Sequence, residues 1–476
     1  MKKMNLLVMS LVSAAALSFT SCSSNDELDG DKAGQAKVDG FYMTLNVQTP
    51  KSDGTRTVVN NPTDATAEES DVTSGTIYLV DAAGNVVFKK PITESDWKAG
   101  KPTQGNEGST QLKIAVEDVV AGATYKVYFL ANAKPWENIF TATNKFAQPY
   151  DTNNKFAMFN QNDNDVNGNG YTVVFTDDNK KETSAAQIKY DNAVSPIKIE
   201  RLTARIDEPT SNATKIVAYT KDGATPAEEK AMKDAVDKVE SIKMTGYAIS
   251  NLANKSYIMQ NWTGETLNIP SGITYYQPTT EFGTATKLEN GDYFTAATAP
   301  NNHKDYVFEN NNENAATSMY FEYTVKLKDM TNADFSDGTF YRYNNVIYKS
   351  FADIYTAYHD VKGLFNGKTA KEMKDLLTAA KNDKDVESKL DEFRKTYKIE
   401  VFNCGKTYYK KAIKDQYLTY ENAIQRNSIY RLTVNNIFNV GAQVPNGTPD
   451  KEGLFYLDVT VSVNPWVLNT QEVELK

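Results

Sequence analysis

The chain is short of the residues from which most active sites are made. Its 476 residues include two cysteines, Cys22 and Cys404, and two histidines, His303 and His359. Cys22 stands at an N-terminal processing position, so the mature chain has no pair of thiols for an internal disulfide and must draw its stability from burial. The histidines lie in separate contexts with no second ligand at metal-binding spacing, and each reads as a surface or packed side chain. Basic clusters are missing too. With 52 Lys plus Arg against 61 Asp plus Glu, net charge −9, nothing in the sequence tracks a phosphate backbone, and nucleic acid is not an expected partner. Beyond the N-terminus no apolar run approaches the ~20 residues of a membrane-spanning helix. Arginine is scarce: Arg56 is the only one among the first 200 residues.

Catalytic motifs are also wanting. Gly367-Lys368-Thr369 and Gly405-Lys406-Thr407 resemble the end of a phosphate loop, but neither has the required Gly five positions earlier. There is no Gly-x-Ser-x-Gly elbow and no His-Glu-x-x-His, and Cys404 lacks a context for nucleophilic work. Paired carboxylates occur by composition alone, so they do not single out a glycosidase. The sequence therefore reads as a non-enzyme, with no catalytic residue, metal or cofactor assigned. Asp163, Asp165, Asn167 and Gly168 match the opening of a calcium loop, yet Val174 stands where the bidentate Glu belongs, and a solvated loop tip is the alternative.

What is present favours strands. Tyr (28) and Phe (21) are abundant, and Asn, Gly, Thr and Asp punctuate the chain often, which predicts a mainly β protein of two or three domains. Lys2 and Lys3 followed by an apolar Met4 to Phe19 form a signal peptide over residues 1–21. Phe19-Thr20-Ser21-Cys22 resembles a bacterial lipobox, in which cleavage before the cysteine leaves it acylated; an ordinary signal peptide with an incidental Cys is the alternative. Residues 23–39 are small and acidic, a tether.

The stretch Gly40 to Arg56 organises the reading. Phe41, Met43, Leu45 and Val47 alternate with Tyr42, Thr44, Asn46 and Gln48, the pattern of a strand with one buried face. A loop then presents Arg56. Cleavage there would release the strand and leave an unpaired edge over an apolar groove; an ordinary surface charge is the alternative reading of Arg56. Ile77 to Val80 and Val86 to Phe88 read as a hairpin with Gly84-Asn85 in the turn, and Tyr125 to Ala131 as a strand apolar on both faces. Pro196 to Asp207 changes phase: Ile197 and Ile199 are odd, Leu202, Ala204 and Ile206 even, so a crossing between sheets or domains is placed near residue 205. Thr225-Pro226-Ala227-Glu228 and Thr369 with Glu372 are capping boxes ahead of helices, and Val386, Leu390 and Phe393 mark another. Strands are read at Ile242 to Ile249, Ser256 to Gln260 and Met319 to Leu327, and strict alternation returns at Tyr430, Leu432 and Val434 and at Leu457 to Val463.

Across nearly its whole length the chain resembles the Bacteroidales fimbrillins, the FimA-like and Mfa-like subunits of type V pili. The residues that carry this are the lipobox at Cys22, the first strand with Thr55-Arg56-Thr57, IYLVDAAGNVVF, Tyr128 to Ala133, PIKIERLTARI, Arg426 to Leu432 and Val463-Asn464-Pro465-Trp466-Val467, in the family's order. The resemblance implies two transthyretin-like β-sandwiches, 57–205 and 206–476, the second with a short helical insertion, behind a lipidated propeptide 22–56. It implies an outer-membrane lipoprotein precursor cut between Arg56 and Thr57 by an Arg-specific surface protease, and a head-to-tail homopolymer in a cell-surface fimbrium serving adhesion. The groove left by Phe41, Met43, Leu45 and Val47 would take the tail 467–476 of another copy, with Val467, Val473 and Leu475 as its apolar residues. A terminal strand paired within its own domain is the alternative for that tail. An accessory, tip or anchor subunit, or a monomeric lipoprotein binding glycans through exposed Trp97, Trp136 and Trp262, are the competing functions.

Overall fold

A computed structural model describes residues 40–48, 63–64, 67–100, 109–133, 143–144, 155–160, 170–219, 224–264, 266–276, 295–296, 304–415, 418, 423–445 and 457–467. The alternation at the start becomes strand β1, Phe41–Gln48, whose odd residues face inward and are buried. After it come a two-residue strand β2, Thr63–Asp64, and one turn of helix α1, Ala67–Ser70. Strands β3, Gly75–Val80, and β4, Val86–Ile92, make the hairpin. Its turn is closed by Asp81, whose Oδ1 accepts from the Ala83 and Asn85 amides, while Gly84 supplies the positive φ of 87° that a Cβ would disfavour.

Helix α2, Glu94–Ala99, opens on a Thr93/Asp96 capping box. It drives Trp97 into the core, stacked on Phe129 at 5.6 Å. Strand β5, Ser109–Val116, runs antiparallel to β1 over all eight residues, from Phe41 opposite Val116 to Gln48 opposite Ser109. Strand β6, Thr124–Ala131, lies between β3 and Tyr171–Val174 in the facing sheet. The two-sided apolarity of β6 has a simple cause. Val127, Phe129 and Ala131 enter the core shared with β1, whereas Tyr128 and Leu130 pack on the other face with Phe159, Leu202 and Ile258.

The phase change near residue 200 is a passage through three sheets. Ile197–Lys198 pairs with β1, Glu200–Arg201 pairs with Met158–Phe159, and Ala204–Asp207 pairs with Lys304–Val307 and with the Ser428–Ile437 strand. Accordingly Ile197 and Ile199 belong to the first core, Leu202 to the outer layer of β6, and Ala204 and Ile206 to a second core. That second core lies between two sheets. One contains Leu457–Val467, Ser428–Ile437 and Ala204–Asp207; the other contains Val239–Ser250, Ser318–Leu327 and Lys406–Ala412. From Gly40 onward the chain forms one compact unit.

Helix α3, Pro226–Lys238, starts at the predicted box, with Thr225 and Glu228 capping each other and Met232 and Ala235 buried. The expected short helical insertion is larger than its sequence suggested. Helices α4, Phe351–Tyr358, α5, Ala370–Lys381, and α6, Val386–Tyr397, close over a three-stranded sheet of Phe340–Tyr343, Val346–Tyr348 and Glu400–Phe402. This module has its own core around Tyr341, Phe351, Met373, Leu377, Leu390 and Val401. The strand expected over Ser256 to Gln260 is shorter, Ser256–Tyr257.

Candidate functional site: the first strand and the seam behind it

β1 occupies an interior lane of its sheet. β5 flanks it on one side; on the other, Met43 and Thr44 pair in parallel with Ala186 and Gln187, and Val47 and Gln48 with Ile197 and Lys198. Met43, Leu45 and Val47 are each 0% exposed and Phe41 7%. Phe41 lies 5.5 Å from the Phe175 ring. On the opposite face Thr44 is also buried, and its hydroxyl accepts from Gln187 Nε2 at 3.0 Å. Four buried apolar side chains at about 1.5–3 kcal/mol each come to roughly 6–12 kcal/mol, as much as the ~5–15 kcal/mol that holds a whole domain folded. The N-terminal core cannot lose β1 without a substitute.

Immediately behind β1 the chain is pinned to the rest of the molecule. Thr63 and Asp64 of β2 pair in parallel with Trp466 and Val467 at the end of the Leu457–Val467 strand. Glu69 of α1 is buried in a knot of charge: its Oε1 and Oε2 accept from Arg205 Nη1 at 3.1 and 3.0 Å, and Oε1 also accepts from the Tyr306 hydroxyl at 2.8 Å. Lys304 Nζ lies 3.4 Å away. Arg201 donates to the Glu69 carbonyl at 2.6 Å, to Ser70 Oγ at 2.7 Å and to Asn427 Oδ1 at 3.1 Å. Arg205 also grips Asp207 with two bonds, and Arg431 donates to the same carboxylate at 2.7 Å.

The electrostatics follow from burial and charge. Burial lowers the Arg201 pKa to about 9, opposed by the Glu69 charge, so the guanidinium stays charged at neutral pH. Burial would also lower that of Arg205, but the hydrogen bond and charge of Asp207, with Glu69, raise it on balance. The Tyr306 phenol is pushed up by burial and by the Glu69 carboxylate. Such a network fixes position: removing one member would strand a buried charge. Ile429 of the Ser428–Ile437 strand also enters the first core, so the seam is apolar as well as ionic.

Residues 397–472, which include the Lys406–Ala412, Ser428–Ile437 and Leu457–Val467 strands, match the family described as "Major fimbrial subunit protein type IV, Fimbrillin, C-terminal". The match covers 76 of the chain's 476 residues. Among solved structures, a fimbrilin (fimA) from Porphyromonas gingivalis W83 is similar at 16% identity and TM-score 0.44, over 91% of this chain and 100% of that one. A putative cell adhesion protein from Parabacteroides distasonis ATCC 8503 is similar at 14% identity and TM-score 0.45, over 91% and 99%. A fimbrial assembly protein from the same organism shares 12% identity at TM-score 0.30, over 61% of this chain and 82% of that one. No curated protein matches this chain.

The site residues read from the sequence divide into two sets. Phe41, Met43, Leu45 and Val47 lie side by side on the inner face of β1, and Val467 ends the Leu457–Val467 strand. Cys22, Arg56, Thr57, Val473, Leu475 and the Asp163–Gly168 loop lie outside the described residues. Glu69, Arg201 and Arg205 were missed; the available signal was two arginines set in an otherwise apolar alternation. The glycan platform is corrected at Trp97, which is 2% exposed and stacked in the core; Trp262 is half-buried and Trp136 lies outside the described residues. His359 is exposed beside Asp360, and His303 lies outside the described residues. The first phosphate-loop look-alike serves structure: Thr369 caps α5. Cys404 is exposed, its thiol pushed up by burial of part of its surface and by Asp337. Among the described residues no group of three or more His, Cys, Asp or Glu side chains could hold a metal ion.

Proposed function

We propose that this chain is a fimbrillin, a structural subunit of a cell-surface fimbrium, built into the shaft by strand exchange and serving adhesion. The precursor is carried to the outer membrane by the lipid on Cys22, and an Arg-specific surface protease cuts between Arg56 and Thr57. The cut frees β1 together with the lipid, and a strand from a neighbouring subunit takes its lane. The tail 467–476, with Val467, Val473 and Leu475, is offered in turn to the next subunit. On this reading 57–205 and 206–476 are the two sandwich domains of the mature subunit, and its partners are other fimbrial subunits.

One observation carries the proposal. A strand that supplies four of the first core's buried side chains is followed in the sequence by the only arginine in the first 200 residues, and the chain further on is separately anchored by Glu69. Loss of β1 would therefore open a groove without releasing the rest of the chain, and an open edge above an apolar slot binds a strand. Head-to-tail repetition of that contact gives a filament. Arg56→Ala in the full precursor tests it: the unaltered protein should be shortened and polymerise, and the variant should keep residues 41–48 and stay unassembled. Filaments built from a variant that still carries those residues would end the proposal.

A further inference from the structure

The chain has seven arginines and 45 lysines, and the fold treats the two kinds of cation differently. Arg56 follows Ser52-Asp53-Gly54-Thr55, a run that the sequence marks as a loop. The other six, Arg201, Arg205, Arg342, Arg394, Arg426 and Arg431, all fall among the described residues.

Five of those six are buried, at 0% to 9% exposure. Their guanidinium groups are turned inward and occupied. Arg201 and Arg205 hold the seam behind β1. Arg342 clasps Glu400 with bonds of 2.6 and 2.7 Å, Arg426 donates to Glu309 at 2.6 Å and to the Ile258 carbonyl at 2.8 Å, and Arg394 of α6 donates to the Val401 carbonyl at 2.8 Å. Arg431 differs, with 42% of its side chain exposed. Its backbone is nonetheless held in the middle of a sheet: it stands opposite Ser462 on one side, and its strand pairs with Ala204–Asp207 on the other. An endoprotease draws the residue before the scissile bond into a pocket and binds the flanking chain as an unpaired extended segment, so neither a buried guanidinium nor a doubly paired strand can enter it.

A guanidinium suits a buried ion pair better than an ammonium does, which explains the arginines inside. It does not explain the outside. Arginine is ordinarily a surface residue, yet Arg431 alone of the described arginines reaches solvent appreciably, whereas Lys181, Lys362 and Lys384 stand exposed between secondary elements. Resting on the reading of Arg56 as the cut site, we infer that the folded chain is a single-cut substrate. An endoprotease that takes Arg and refuses Lys divides it after Arg56 and leaves residues 57–476 whole; one that also accepts Lys breaks it at its exposed loops. The step is hydrolysis: the amide between Arg56 and Thr57 breaks, and water gives its hydroxyl to the Arg56 carbonyl carbon and a proton to the Thr57 nitrogen. The placement of lysine and arginine thus shields the mature chain from the enzyme that releases it.

The test exposes the full chain, folded and then unfolded in urea that the enzyme tolerates, to an Arg-specific endoprotease, and identifies the fragments by mass spectrometry. The unfolded chain should be cut after all seven arginines. The folded chain should give residues 1–56 and 57–476, the other six bonds being cut at least ~1,000-fold more slowly because each waits for the fold to open. Lys362→Arg should add one rapid cut after position 362, and a Lys-specific endoprotease should fragment the folded chain. A rapid cut of the folded chain after any of the six arginines, a Lys362→Arg chain that stays whole at 362, or resistance to the Lys-specific enzyme would overturn the single-cut inference and leave Arg56 as the cut site. A folded chain that is not cut after Arg56, although the unfolded one is, would overturn the reading of Arg56 and this inference with it.

Discussion

β1 and the Leu457–Val467 strand are written in the same pattern, apolar residues alternating with more polar ones, and the molecule holds them differently. β1 has neighbours on both edges and its inner side chains Met43, Leu45 and Val47 are fully buried. The C-terminal strand is zipped to Ser428–Ile437, meets β2 only at Trp466 and Val467, and leaves Val459 and Val461 half-buried. The strand proposed to be discarded is thus the more deeply built of the two. A removable part need not be a loose part: the lane holding β1 is worth about as much as the domain's net stability, so the lane must be refilled whenever it is emptied. On the proposed exchange, removal and assembly would be one event.

The comparison can be broken most sharply by shortening one inner side chain in each strand. Leu45→Ala should cost about 3–5 kcal/mol of unfolding free energy in urea, the upper part of the range for a fully buried leucine. Val461→Ala should cost only about 1 kcal/mol. If the valine change proves as damaging as the leucine change, the ranking of the two strands is wrong. Next in size is Glu69→Ala, expected to cost ~3 kcal/mol, the low end for breaking a buried pair because Asp207 still holds Arg205. It should also expose residues 63–70 to protease in the chain cut after Arg56; unchanged protection would remove Glu69 from the anchoring role.

The smallest effect belongs to the helical module, which lies apart from both strands. Burial raises the Asp337 pKa, but the hydrogen bond from Lys381, the contacts of Thr339 and the Lys381 charge outweigh it and bring the carboxyl down to about 2. A carboxyl depressed in the folded state contributes stability that is present above its ordinary value near 3.8 and lost as pH falls toward about 2. The module should weaken across that window, and Asp337→Asn should flatten the acid limb of its melting curve. An acid limb that does not change in the variant would assign the loss to other groups.

Much of the fold could be read from local pattern, because local pattern sets it. The period of two at Phe41 to Val47 gives β1, the Asp81-Gly84 turn gives the hairpin, and Thr225 with Glu228 gives the start of α3. Even the crossing near residue 205 was visible, as a parity shift between Ile199 and Leu202. What stayed hidden depends on partners far along the chain. Glu69 meets Arg205 across 136 residues, and Arg201 meets Asn427 across 226. No periodicity records such pairings. Trp97 was misread for a related reason: a tryptophan in a short polar stretch, ESDWKA, looks exposed until the helix that carries it is laid against Phe129. The small sheet beneath α4 to α6 is assembled from strands of three or four residues, too short to declare a period.

The central claim can be checked most directly by mass spectrometry of subunits taken from assembled fibres. The account predicts chains beginning at Thr57, with the peptide Phe41–Gln48 missing from the fibre. Fibre subunits that retain Phe41–Gln48 in stoichiometric amount would contradict it.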